Sequence, residues 1–220
     1  MRSRTRGAGT YMTAAAIISW FGLMLQCFLS LSRSAAEGQT IVDGLVMFFG
    51  YFTILTNLLV CAALTIPLIT PASAMGSLLT GPFAVGGIAA SIAFVSLAYH
   101  VLLRSLWDPH GVHLIADTLL HYAVPALFAV YWFVFVRIGT LRFLDAVLWG
   151  IYPIAYFVYV LIRGKIIGSY PYGFIDVDAI GFRQTMVNAV GLLLVFIVVG
   201  SLFVGIDRLS KRWTPVVDGG

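Results

Sequence analysis

Charge is scarce in this chain: Asp, Glu, Lys and Arg together make up only 10% of 220 residues, against 60% hydrophobic residues. A water-soluble domain cannot cover so much apolar surface with so few polar groups, so the composition points to a membrane protein. The net charge of +4 comes without a long basic face, because Lys and Arg stand singly or in short clusters beside apolar runs. Nucleic acid is therefore excluded as the expected partner. Cysteine is almost absent too, with only Cys27 and Cys61, and two lone thiols provide neither a disulfide framework nor a Cys-rich metal pattern. No metal or cofactor is implied. An internal repeat is also lacking, as is a matched pair of interrupted helices, the strongest sequence pointer to a secondary transporter.

What is present is a series of apolar runs. Six are long enough to span a bilayer, at roughly 11 to 32, 42 to 68, 83 to 104, 114 to 136, 143 to 162 and 185 to 206. The expected fold is an all-α polytopic membrane protein, one six-helix bundle in a single domain over residues 1 to 220. The first run follows Arg2, Arg4 and Arg6 as a signal peptide would, but its length and missing cleavage site indicate a retained helix. With the amino terminus inside, Arg2, Arg4, Arg6, Arg137, Arg142, Arg208, Lys211 and Arg212 fall on the inner side, and Arg33, Arg104, Arg163, Lys165 and Arg183 on the outer. Basic residues concentrate in cytoplasmic loops, so both termini are expected in the cytoplasm. This topology sets Cys27 in the outer half of its helix and Cys61 in the inner half of the next.

The segment FFGYFTILTNLLV, from Phe48 to Val60, carries Thr53, Thr56 and Asn57 at membrane depth. Polar and ionisable groups within spans are costly and mark candidate sites. Counted at about 1.5 Å per residue, His121 lies about 10 Å below the outer boundary of its predicted helix and Thr53 about 16 Å below its own. Asp117 precedes His121 by four residues, on the same helix face, where its carboxylate can fix the imidazole tautomer. Asn57 follows Thr53 by four, and its amide is a candidate donor to an oxyanion. His100 and Asn188 add polar groups to the same outer half of the bundle. Pro125, four residues after His121, removes the donor to the His121 carbonyl and predicts a bend, while Pro153 predicts a plain kink. The loop from 163 to 183 carries Tyr170, Tyr172 and Phe174, whose simplest role is to anchor at the headgroups.

Each residue also has a plain structural role. A buried Thr commonly bonds a carbonyl one turn back, Asn commonly joins helices, and Asp with His can form a satisfied interhelical pair. Three functional classes follow: an intramembrane ester hydrolase, a non-catalytic membrane scaffold, and a transporter relaying protons or substrate through Asp117, His121 and His100. Haem ligation by His100 and His121 is disfavoured, because four histidines give no paired ligands across both faces.

Three pieces, YFTILTN (51 to 57), DTLLHYAVP (117 to 125) and YPYGFIDV (170 to 177), resemble the androgen-induced and androgen-dependent TFPI-regulating membrane proteins, and are most similar to that family's bacterial six-helix branch. The resemblance extends over most of the chain through helix number and length. It implies a bacterial plasma-membrane location and, from the animal members, a threonine hydrolase that cleaves fatty acid esters of hydroxy fatty acids with an intramembrane Thr and His. Residue by residue, it implies Thr53 as nucleophile and His121 as base, a membrane lipid or fatty acid ester as substrate, and no cofactor. Thr56 is a rival nucleophile, three residues along on nearly the same face. Two differences from the animal members stand out: a His-to-Pro interval one residue shorter, and an acidic Asp117 in place of an amide.

Overall fold

In a computed structural model, which describes residues 2–106 and 108–211, the chain is an all-α bundle with six helical spans long and apolar enough to cross a membrane. Arg212, used in the orientation argument, lies outside the described residues. The spans are built from α1 (Arg2–Ala36), α3 (Phe52–Ile69), α5 (Pro82–Ala98), α6 (Val112–Thr118) continued by α7 (Val124–Phe135), α8 (Phe143–Trp149) continued by α9 (Ile151–Ile167), and α11 (Phe182–Lys211). Short helices α2 (Ile41–Phe48), α4 (Ala74–Leu78) and α10 (Val177–Ile180) occupy the connections.

The two middle spans form the centre. Val60, Cys61, Ala63 and Leu64 of α3 and Val85, Ala89, Ala90 and Ile92 of α5 are fully buried. Outward faces stay apolar: Phe21, Met24 and Phe28 of α1, Phe133 of α7 and Leu194, Val198 and Leu202 of α11 are largely exposed. A surface this hydrophobic on long helices is matched by lipid tails, and the molecule is an integral membrane protein. Trp149 lies so close to α5 that a Cβ on Gly87 would approach its indole to 2.8 Å.

The second span differs from the expected continuous helix at 42 to 68. The chain ends α2 at Phe48, turns, and enters α3 through Tyr51 in an extended conformation. The cause is Arg163, a buried residue of α9 rather than of the expected loop. Its guanidinium donates to the Val46 carbonyl at 3.0 and 3.2 Å and to Ser169 O at 2.9 Å. It thereby caps the C-terminal, negative end of α2. Gly50 permits this approach, since a Cβ there would sit 2.9 Å from the Arg163 Cζ.

Other expected boundaries shift by a few residues. The first span lengthens at both ends. The fifth runs on to Ile167, interrupted at Gly150 just before Pro153, whose missing N–H leaves a carbonyl one turn back without its donor. Both cysteines are free; Cys61 belongs to a buried cluster with Leu23, Ile54 and Leu120, and Cys27 packs against the edge of that cluster.

Two π turns distort neighbouring spans at one level: Tyr99–Leu103 after α5, and Leu119–Ala123 between α6 and α7. In the second, the Val124 N–H bonds Leu119 O, five residues back. Continued to Pro125, that register would need an N–H that proline lacks. The orphaned Leu120 carbonyl instead accepts from Asn57 Nδ2 at 3.3 Å. The bend expected at Pro125 thus takes the form of a π turn, a feature frequent at functional sites.

Candidate functional site

Thr53 is the second residue of α3, so the residue four back, Phe49, lies outside the helix and offers no helical carbonyl for its hydroxyl. The Thr53 Oγ1 faces His121 Nε2 at 3.4 Å. On the other edge of the ring, His121 Nδ1 lies 3.2 Å from Asp117 Oδ1 and 3.0 Å from the Asp117 carbonyl. These two oxygens accept the Nδ1 proton, which leaves Nε2 bare and able to accept from Thr53. Thr53 and Asp117 are each 8% exposed.

Tyr99 completes the support. Its hydroxyl donates to Asp117 Oδ2 at 2.7 Å, and its ring stacks on His121 with centroids 3.8 Å apart and planes within 13°. The two π turns make this register: each adds a residue to its turn and brings Tyr99 and His121 face to face. Thr53, His121, Asp117 and Tyr99 therefore form a continuous chain of hydroxyl, imidazole, carboxylate and phenol. His121 lies nine residues, about 13 Å at 1.5 Å each, into the fourth span. Thr53 reaches the same level from the start of a new helix, not 16 Å along an unbroken one.

Thr56 is placed differently. It is fully buried, donates to Phe52 O at 2.8 Å, and accepts from the Tyr152 hydroxyl at 3.0 Å. No imidazole faces it. Asn57 corrects the oxyanion expectation, because its two amide hydrogens are engaged by the carbonyls of Thr53 at 2.8 Å and Leu120 at 3.3 Å. It joins α3 to the π turn that carries His121. His100 turns outward and pairs with the Tyr122 hydroxyl at 3.2 Å, so it does not reach Thr53. Asn188 is also remote, donating to Phe174 O at 2.8 Å and thereby fastening the 168–181 loop to α11.

That loop supplies what residue types did not reveal. Tyr172 and Phe174 stack with centroids 5.1 Å apart and face a cavity of the bundle, and the Tyr170 ring covers Gly164. The Tyr172 hydroxyl faces Thr53 and the first-turn N–H groups of Phe52 and Thr53, which belong to the donor-rich, positive end of α3. Burial pushes its phenol up to about 12, against these hydrogen bonds, which lower it.

Two cavities meet at Thr53. An apolar chamber of about 240 Å³ extends between α5, α9 and α11, and a larger vestibule of about 740 Å³ opens toward the ends of α1 and α6. The vestibule carries Arg33, Glu37, Asp43, His113, Asp117 and His121. Thr53, Tyr99, Leu103 and Tyr172 line both spaces. The partition between a polar-lined space and an apolar one thus carries three hydroxyls, those of Thr53, Tyr99 and Tyr172.

Comparison of the chain with protein-family models, with curated proteins and with solved structures finds no match to any of them.

Proposed function

We propose that this protein is an intramembrane lipid-ester hydrolase in which Thr53 is the nucleophile and His121 the base. The observation that carries the reading is the Thr53–His121–Asp117 alignment, with the bare Nε2 edge turned to a hydroxyl that has no carbonyl to satisfy it. A threonine hydroxyl attacks an ester only when an adjacent base takes its proton. His121 removes that proton as Oγ1 bonds the ester carbon, and returns it to the departing alcohol oxygen. It then activates water against the acyl-threonine, freeing the carboxylic acid. Asp117 holds the tautomer and stabilises the imidazolium, and Tyr99 holds Asp117. The first-turn N–H groups of α3 and the Tyr172 hydroxyl are the donors nearest the developing oxyanion.

The resemblance of YFTILTN, DTLLHYAVP and YPYGFIDV to the androgen-induced and androgen-dependent TFPI-regulating proteins supports the same chemistry at the same two residues. It also favours a bacterial plasma membrane, while the distribution of Lys and Arg favours both termini in the cytoplasm and the site in the outer half. Below Asn57 the centre of the bundle is apolar and closed, with Val60, Cys61 and Leu64 fully buried, which favours a site entered from one side over a transport path.

The test is hydrolysis of a medium-chain p-nitrophenyl ester by detergent-purified protein. Activity that disappears in Thr53→Ala and His121→Ala and persists in Thr56→Ala is the expected result. Equal activity in Thr53→Ala and wild type, with both folded, overturns the proposal.

A further inference from the structure

We infer that the apolar chamber is an acyl-chain site entered sideways from the membrane between α9 and α11, and that the alcohol half of the ester occupies the vestibule. The orientation rests on the hydrolase reading above; the chamber's affinity for a hydrocarbon chain does not.

The first argument is solvation. The chamber is walled by Val95, Ala98, Phe157, Met186 and Leu193; the hydroxyl-bearing residues on it are Thr53, Tyr99, Tyr156 and Tyr172, and the Tyr156 hydroxyl is already donated to the Gly50 carbonyl. A polar solute seated among these walls would lose its water without gaining partners, whereas a lipid tail gives up nothing by entering. Ile154 and Val190, which are 49% and 51% exposed, lie on its margin, on the outward surfaces of α9 and α11. What adjoins that margin is bilayer hydrocarbon.

The second argument is how the helices diverge. The fifth and sixth spans touch closely at one end, where a Cβ on Gly200 would lie 3.2 Å from Ala146 and 3.4 Å from Trp149, and again where a Cβ on Gly150 would lie 3.3 Å from Leu193. Beyond Leu193 they part, and the gap between them is the chamber, closed above by Phe174 and Ile175 of the loop. Leu193 is therefore its floor. From Leu103 to Phe94 the wall runs nine residues, about 13 Å of helix, a slot shaped for one extended chain.

The third argument assigns the two halves of the ester. His121 and Asp117 line the vestibule and not the chamber. The alcohol oxygen must take its proton from His121 Nε2 when its bond to the acyl carbon breaks, so it has to lie on the vestibule side. The acyl chain then extends from Thr53 the other way, into the chamber. After water cleaves the acyl-threonine, the alcohol leaves through the vestibule and the fatty acid returns sideways to the bilayer.

The experiment uses full-length protein in liposomes with a diazirine-bearing palmitic acid analogue, photolysed with and without excess unlabelled palmitate. Adducts that the competitor removes are expected on Phe157, Met186 or Leu193. Competable adducts found only on α1 or the vestibule, or none that compete, overturn the inference. A parallel assay measures the preference of Ala189→Trp, which narrows the chamber, for p-nitrophenyl decanoate over butyrate. The ratio of kcat/KM values is expected to fall at least tenfold relative to wild type; an unchanged ratio in folded protein counts against the chamber. Competable chamber labelling in protein that hydrolyses no ester overturns the hydrolase reading and upholds the chamber. Hydrolysis without such labelling does the reverse.

Discussion

Two threonines three residues apart in one helix have opposite chemical fates, and the helix start decides between them. Thr56 has a carbonyl four residues back inside α3 and donates to it; Thr53 has none, and faces an imidazole instead. Thr56→Val is therefore expected to cost about 1 kcal/mol of stability, the worth of a typical hydrogen bond, and to leave ester hydrolysis largely intact. Thr53→Ser keeps a hydroxyl at the same bond and is expected to retain activity that Thr53→Val loses; parallel rate and thermal-melt measurements separate the two effects. Asp117→Asn preserves shape but permits the wrong tautomer. It should reduce kcat by roughly two orders of magnitude or more, within the range that general acid–base catalysis contributes, without loss of fold. His121 and Asp117 were legible in sequence because a spacing of four defines one helix face. Tyr99 was not, since ionisability drew attention to its neighbour His100, and a π turn that no residue type announces decides which of the two points inward.

At the scale of elements, the site depends on how a backbone defect in one helix is repaired by a side chain from another. Pro125 leaves the Leu120 carbonyl without a backbone donor, and Asn57 supplies one. Asn57→Leu is expected to destabilise the bundle by about 1–3 kcal/mol, the cost of leaving buried carbonyls unpaired. In a Pro125→Ala background the restored N–H can reach Leu120, so the same Asn57→Leu change should cost less. A double-mutant cycle on thermal stability measures that coupling, and strict additivity would contradict the repair. The π turn could be anticipated only in outline, as a bend near a proline. The break between α2 and α3 was less legible still. The run from 42 to 68 holds no proline before Pro67, and the glycine at the break, Gly50, acquires meaning only when Arg163 arrives from more than a hundred residues away.

For the whole molecule, hydropathy alone made the six spans legible, because a bilayer requires long apolar helices whatever their packing. The connections were not, because they are shaped by long-range contacts such as the Arg163 bond to Val46 and the Asn188 bond to Phe174. Arg163→Met removes donors to α2 and to Ser169 together. It is expected to expose the 168–181 loop to protease and to lower the melting temperature by several degrees. Unchanged digestion would show that the loop is held by its aromatic packing instead. Burial of the 8%-exposed Thr53 between an apolar and a polar cavity joins all three scales, since it needs the helix start, the two π turns and the loop at once.

The central claim is that Thr53 is an activated nucleophile. The measurement that tests it most directly is reaction of the purified protein with a fluorophosphonate, followed by peptide mass spectrometry to locate the adduct. A single adduct on Thr53, absent when His121 is replaced by Ala, is the predicted result. An adduct on Thr56, or a folded wild-type protein that does not react, would contradict it.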